Sequence, residues 1–392
     1  MDILNTAFGS VTLTRSAHHS VANKATANLR AWDAADELLL NYLADNQLPA
    51  DSGRLLIVND GFGALACSLA KFHPCSWSDS SVSLSAALHN YAANTLSSSA
   101  GGELETLPST LAPSGQVTLV LIKIPKTLAL LEHQLITLRE HLDENSLIIA
   151  AGMVKYLEKS HLQLFEKIIG KTTTSLAAKK ARLIFPDIDL NKDSSPSPYP
   201  IKVTIDELGL STINYANVFS REKLDVGSRF FIEQMENLPS ATSIIDLGCG
   251  NGVLGVVAKR LFPQAKITFV DESHMAVASA KASAECFLGH SIAADDQCEF
   301  VVSDSLDSVE EEKVELVLCN PPFHHNNAVG DDIAWKMLNQ SKHILTQGGR
   351  LWIVGNRHLN YHIKLKRIFG NCRTVASNRK FVVLEAMNRR GH

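Results

Sequence analysis

Little in this sequence points to a metal, an oxidising compartment or a membrane. Seven cysteines are scattered through 392 residues. No two of them form a C-x-x-C pair, so neither a zinc site nor a disulfide framework is expected. His324 and His325 are adjacent, and neighbours on a loop rarely converge on one ion; no metal is expected. No basic-then-apolar leader opens the chain, and no apolar run reaches membrane-spanning length. The expectation is a cytoplasmic protein without membrane contact. A large excess of either charge is missing too: 37 Lys/Arg stand against 41 Asp/Glu. The net charge of −4 does not announce a nucleic-acid binder.

The charges are unevenly placed, however. From Arg350 to His392 there are ten Lys/Arg and a single acid, Glu385. From Met153 to Leu183 seven Lys/Arg face only Glu158 and Glu166. Such clusters on a mildly acidic protein can be the footprint of an anionic polymer, although solvated helix faces give the same pattern.

The length suggests two domains. The stretch "PDIDLNKDSSPSPYP" at 186–200 holds four prolines, three serines and four charges without apolar periodicity. It reads as a linker, dividing the chain into domains 1–190 and 191–392. Each half alternates strand-like and helix-like segments, which predicts a doubly wound, mostly parallel α/β sheet. In the second half the order is "SIIDLG", "VLGVVAKRLF", "KITFVD", "MAVASAKASAECF", "CEFVVSD", "VELVLCN" and "RLWIVGN". In the first it is "RLLIVND", "ALACSLAKF", "SWSD", "VSLSAALHNYA", "VTLVLIK" and "TLALLEHQLITLREHL". The halves align with each other: Gly61, Gly63 and Leu65 fall on Gly250, Gly252 and Leu254, Asp79 on Asp271, Lys123 on Asn320, and Pro125 on Pro322. An internal duplication with small insertions produces such a constant offset.

The turn "DLGCGNG" at 246–252 lies between a strand and a helix, where open α/β sheets bind ligands. Its G-x-G-x-G spacing is not the G-x-G-x-x-G of dinucleotide binders. Asp246 would repel a pyrophosphate and attract an amino group, as on the amino-acid end of S-adenosylmethionine. Asp271 ends the next strand, where an acid can bind ribose hydroxyls. Ser303 and Asp304 end a third strand, where an adenine would lie. "NPPF" at 320–323 ends the fourth. An exocyclic amino group is a poor nucleophile because its lone pair is delocalised into the ring. The Asn320 side-chain oxygen and the Pro321 carbonyl can accept its two N–H bonds and favour a pyramidal nitrogen. Pro321 and Pro322 fix that backbone, and Phe323 can stack on an extruded base.

Asn-Pro-Pro-Phe following D-x-G-x-G-x-G resembles the amino-group methyltransferases. "NVFSREKLDVGSRFF" at 217–231 narrows the resemblance. Nearly end to end, through "AWDAADELLL", "IKIPKTLALLE", "TTTSLAAKKARL" and "NRKFVVLEA", the chain is similar to the bacterial 23S ribosomal RNA guanine-N2 methyltransferases of the large subunit. The resemblance implies two tandem Rossmann-like methyltransferase domains, S-adenosylmethionine as donor, and 23S rRNA as partner of a monomeric enzyme. It implies that Asn320 through Phe323 hold the base. Asp246, Gly248, Gly250, Asn251, Gly252, Asp271, Ser303 and Asp304 would hold the cofactor, with Phe219 and Arg221 covering its amino-acid end. The first half departs from a working enzyme. Ile57 stands where Asp246 would, and Lys123 and Ile124 replace Asn320 and Pro321. Its expected use is to hold RNA through Lys123, Lys126, Lys179, Lys180 and Arg182. Three alternatives remain open: a small-subunit rRNA guanine-N2 methyltransferase, a protein-glutamine N-methyltransferase, and a non-catalytic RNA-binding assembly factor.

Overall fold

The computed structural model describes residues 2–15, 29–48, 53–95, 102–192, 195–293, 297–310, 313–322 and 328–389. It divides into two units, Met1–Tyr199 and Pro200–His392. In the first unit the elements are β1 (Asp2–Thr6), β2 (Gly9–Leu13), α1 (Ala34–Asp45), β3 (Leu55–Val58), α2 (Ala64–Ser68), β4 (Cys75–Ser78), α3 (Ser81–Thr95), β5 (Glu105–Pro108), β6 (Leu119–Lys123), α4 (Leu128–Arg139), β7 (Leu147–Met153), α5 (Lys159–Ile168), β8 (Thr172–Thr174) and β9 (Ala181–Pro186). The second unit runs β10 (Ile201–Ile205), β11 (Leu210–Asn214), α6 (Val226–Ile232), β12 (Ser243–Leu247), α7 (Val253–Leu261), β13 (Lys266–Asp271), α8 (His274–Leu288), β14 (Cys298–Val302), β15 (Val314–Cys319), α9 (Ala328–Ile344), β16 (Leu345–Asn356), α10 (Tyr361–Phe369), β17 (Arg373–Ser377) and β18 (Phe381–Met387).

The two main sheets have one topology. Each has seven strands, in the orders β5-β4-β3-β6-β7-β9-β8 and β14-β13-β12-β15-β16-β18-β17. The first five strands of each are parallel, and the last two pairings are antiparallel. The fold is therefore α/β with two tandem Rossmann-like units. The central strands are buried on both faces: β3 is apolar throughout (Leu55–Val58), and β12 carries Ile244, Ile245 and Leu247 in the core. Helices cover both sides of such a sheet, so its strands read as apolar runs without alternation. Each unit also has a small antiparallel hairpin, β1–β2 or β10–β11, that the sequence did not signal.

The proline-rich stretch is not free of the first unit. Arg139 donates to the carbonyls of Ile168, Leu190 and Lys192. His133 contacts the Ser197 hydroxyl at 3.0 Å, and the Tyr199 hydroxyl donates to Glu132 at 3.0 Å. These contacts hold the stretch on α4 as far as Tyr199. Among the described residues, no helix is long and apolar enough to cross a membrane.

Candidate active site

The site of the second unit begins with the turn between β12 and α7. Gly248, Gly250 and Gly252 have φ of 72°, 54° and 78°. At Gly252 the need for glycine is doubled, because a Cβ would lie 2.8 Å from the Ala280 Cα in α8. Around Gly250 no atom lies within 4 Å of where a Cβ would stand, which leaves an open cradle beside its backbone. The Gly250 N–H donates to Asp271 at 3.0 Å. That bond ties the turn to the end of β13 and fixes the carboxylate that was expected at the ribose. The second Asp271 oxygen accepts from the Ser273 N–H at 3.0 Å. Asn251 turns inward and accepts from the Val253 N–H.

Asp246 is fully buried in β12. α7 has no side-chain cap at Gly252; Asp246 Oδ2 reaches across and accepts from the Gly255 N–H at 2.8 Å. Among the described residues its Oδ1 has no partner. Burial pushes this carboxyl up to about 8, against the hydrogen bond from Gly255, and the charge of Asp271 adds to the rise. A buried carboxyl with one oxygen unpaired fits a positively charged ligand group, which would favour its ionised form.

Asn320 follows β15 directly. Its Nδ2 donates to the Ser228 hydroxyl at 2.9 Å. With Nδ2 on Ser228, the amide turns its oxygen the other way. Oδ1 is then the buried atom left without a partner among the described residues. It is the acceptor that an amino group would need. Ser228 is itself set by Asp225, the N-cap of α6, whose carboxylate accepts from the Ser228 N–H at 2.9 Å. Sequence reasoning reached the segment 217–231 and missed Ser228. Asp225 ahead of a helical run is a capping pattern, but it gives no sign of the Asn320 contact, which joins residues 92 apart in the chain. Pro321 is buried and Pro322 exposed. Phe323, together with His324 and His325, lies outside the described residues.

The other predicted residues are engaged differently. The Arg221 guanidinium donates to the Ala216 carbonyl at 3.0 Å and pairs with Glu222, bracing its own segment. Phe219 is 66% exposed. Ser303 is buried, and its hydroxyl accepts from the Ser308 N–H. Asp304 pairs with Lys336 at 2.7 Å. Ser303 thus shapes the loop after β14, and Asp304 arrives with a counter-ion.

Two family descriptions match the chain: "RLMG N-terminal domain" over residues 1–190 and "Methyltransferase small domain" over residues 209–385. A ribosomal RNA large subunit methyltransferase G from Aeromonas salmonicida (strain A449) is 48% identical over 364 residues, covering 92% of this chain and 94% of that one. The chain belongs to the ribosomal RNA large subunit methyltransferase G family. Another member, from Ectopseudomonas mendocina (strain ymp), is 45% identical and covers 98% of this chain and 100% of its own. A solved 16S rRNA N2 methyltransferase from T. thermophilus, in complex with AdoMet and guanosine, has the same fold at a TM-score of 0.73. It is 19% identical, with 99% of this chain and 98% of that chain covered. The family's chemistry makes this protein an S-adenosylmethionine-dependent rRNA methyltransferase, and the unpaired Asp246 oxygen and the cradle at Gly250 fit that cofactor.

In this family member the first unit repeats the turn with different residues: around Gly61, as around Gly250, no atom lies within 4 Å of where a Cβ would stand. Ile57 pairs across from Leu121 as Asp246 does from Leu318. An acid is nonetheless present three residues on. Asp60, buried, accepts from the Leu65 and Ala66 N–H groups of α2 at 3.1 and 2.9 Å. It substitutes for Asp246 as a helix cap. Asn59 stands in the left-handed region (φ 62°) at the place of Gly248, and its side chain bonds Gln134 and the Lys123 carbonyl. Gly63 repeats the close approach of Gly252, with a Cβ meeting Ala87 Cα at 2.8 Å.

Lys123 is not placed for RNA. Its amine pairs with Asp33 at 2.7 Å and Asp36 at 2.8 Å, and its side chain is 14% exposed. Burial lowers its pKa, but Asp36 and Asp33 outweigh burial and raise it. The cation that replaces Asn320 is neutralised inside the unit. Lys179 pairs with Glu37 from the surface. Lys126 and Lys180 are exposed, and Arg182 is half-buried in β9. Among the described residues no group of three or more His, Cys, Asp and Glu converges as a metal site would.

Proposed function

We propose that the second unit methylates the exocyclic N2 of one guanine in 23S ribosomal RNA. The observation that carries this reading is the Asn320 amide, whose Nδ2 is held by Ser228 and whose buried Oδ1 is unpaired among the described residues. S-adenosylmethionine, when bound, supplies an electrophilic methyl group on a sulfonium. Asn320 Oδ1 and the Pro321 carbonyl accept the two N–H bonds of the base. This draws the nitrogen's lone pair out of conjugation and toward the methyl carbon. With its lone pair so presented, the nitrogen would take the methyl and release its proton to solvent, leaving the sulfur neutral. Asp246 and the backbone of 248–252 hold the cofactor's charged end, and Asp271 its ribose. The stacking partner of the base is Phe323.

The first unit, with Ile57 and Lys123 in place of Asp246 and Asn320, binds no cofactor. It holds RNA through its exposed cations and raises the local concentration of the substrate at the catalytic unit. The full chain acts as a cytoplasmic monomer.

The test is methylation of unmodified 23S and 16S rRNA by the purified protein, followed by mapping of the modified nucleotides. One N2-methylguanosine position in 23S rRNA and none in 16S rRNA is expected. Modification of 16S rRNA instead would move the enzyme to the small subunit.

A further inference from the structure

Each main sheet ends in an antiparallel hairpin, and both hairpins carry the same charged tip. β8 and β9 belong to a hairpin closed by Lys179 and Lys180, with reciprocal bonds between Ala178 and Ala181 at 2.9 and 2.8 Å. β17 and β18 close through Arg379 and Lys380, where the Asn378 N–H donates to the Phe381 carbonyl at 2.9 Å. Asn378 Oδ1 also accepts from the Lys380 and Phe381 N–H groups.

Both tips are tied to the turn that follows the fifth strand by equivalent bonds. The Val154 N–H donates to the Lys180 carbonyl at 2.8 Å, and the Arg357 N–H to the Lys380 carbonyl at 3.0 Å. These are 3-10 turns, Val154–Tyr156 and Arg357–Leu359, and they add Lys155 to one rim and Arg357 to the other. The strand register places the tips. Ala181 pairs with Met153, the last residue of β7, and Phe381 with Asn356, the last of β16. Both tips therefore stand at the carboxyl edge of their parallel strands. In the second unit that is the edge carrying the glycine turn and Asn320.

Lys155, Lys180, Arg357, Arg379 and Lys380 are all exposed, and among the described residues none pairs with a carboxylate. In the first unit the tip is also held against backbone preference. Lys179 and Lys180 have φ of 47° and 66°, a region costing side-chain-bearing residues about 1–2 kcal/mol each. Such two-residue turns favour Asn-Gly, so lysines there are poorly explained by folding alone. The first unit has Ile57 and Lys123 where the second has Asp246 and Asn320, and it has kept this rim. A feature shared by a catalytic and a non-catalytic unit serves a task other than cofactor binding.

We infer that the Arg357–Arg379–Lys380 rim of the catalytic unit grips phosphates of the RNA backbone, and that Lys155 and Lys180 form its counterpart in the first unit. The inference rests on the rRNA substrate proposed above. Its test uses the full chain with Arg379→Gln/Lys380→Gln, beside the charge-conserving Arg379→Lys/Lys380→Arg. Methyl transfer to protein-free 23S rRNA is followed as salt is varied. With two phosphates no longer neutralised, the log–log slope of RNA affinity against salt should flatten by about 1.4–1.8. At 0.1 M salt the KM for RNA should rise about tenfold or more. The kcat at saturating RNA and the Kd for S-adenosylmethionine should stay constant, and the charge-conserving variant should retain the wild-type slope. An unchanged slope, or equal losses in both variants, would overturn the inference. Loss confined to assembled ribosomal particles would also overturn it and assign the rim to an acidic protein. Should the wild type leave the RNA unmethylated, the proposed reaction fails, and filter binding of the same RNA still decides for or against the rim.

Discussion

Replacing Asp246 by Asn should change how stability depends on pH. The carboxyl titrates near 3.8 in a model chain and is pushed up to about 8 by burial in β12. Between those values the folded protein holds a proton that the unfolded chain has released. The sign follows: stability contributed by this group is full below pH 3.8 and is lost as pH rises through 8. Each pH unit in that window should remove roughly 1.4 kcal/mol from the wild type and nothing from an Asn at this site. From pH 5.5 to 7.5 the second unit of the wild type should then lose about 3 kcal/mol more than Asp246→Asn does. Denaturant titrations of both proteins at the two pH values, followed by hydrogen exchange of the β12 and β15 amides in the core of the second unit, measure the difference. Saturating S-adenosylmethionine should reduce it, because a bound cation lowers the carboxyl's pKa. Parallel pH profiles of the two proteins without cofactor would refute the reasoning and show that Asp246 is ionised when the site is empty.

Ser228→Ala removes the acceptor that orients the Asn320 amide; kcat should fall about tenfold with unchanged affinity for S-adenosylmethionine, and Ser228→Thr should recover most of the rate. Lys123→Ala leaves Asp36 buried beside Asp33 without a counter-ion; denaturation of the first unit should show a loss of about 3–5 kcal/mol, while the salt slope of RNA binding stays that of the wild type. Calorimetry on the full chain should find one S-adenosylmethionine per protein, and two would show that the first unit has kept its site.

Much of the fold was legible because parallel strands buried on both faces read as short apolar runs between helical segments. The duplication was legible because its turns constrain residue type: Gly63 and Gly252 meet a neighbouring helix in the same way. The hairpins β1–β2 and β10–β11 were not legible, being short and half-exposed. Proline and serine content marked 186–200 as the join between the halves, and the first family description ends at 190; that content does not reveal that Arg139, His133 and Glu132 hold the stretch on α4. At the site, the glycine turn and Asn320 were singled out from sequence as candidates. The roles of Asp60, Ser228 and Lys123 were not, since each depends on a partner distant in the chain. Lys123 was expected to hold RNA, and no sequence signal places Asp33 and Asp36 beside it.

The most direct test of the account is a comparison of wild type and Asn320→Ala on 23S rRNA. Single-turnover rates are measured, with mass spectrometry of the digested nucleosides. The wild type should yield N2-methylguanosine. The variant should be about a hundred- to a thousandfold slower, the loss typical of a positioned polar group acting in the transition state, with its Kd for S-adenosylmethionine close to normal. Methyl groups on a different atom or base, or a variant that keeps most of the wild-type rate, would contradict it.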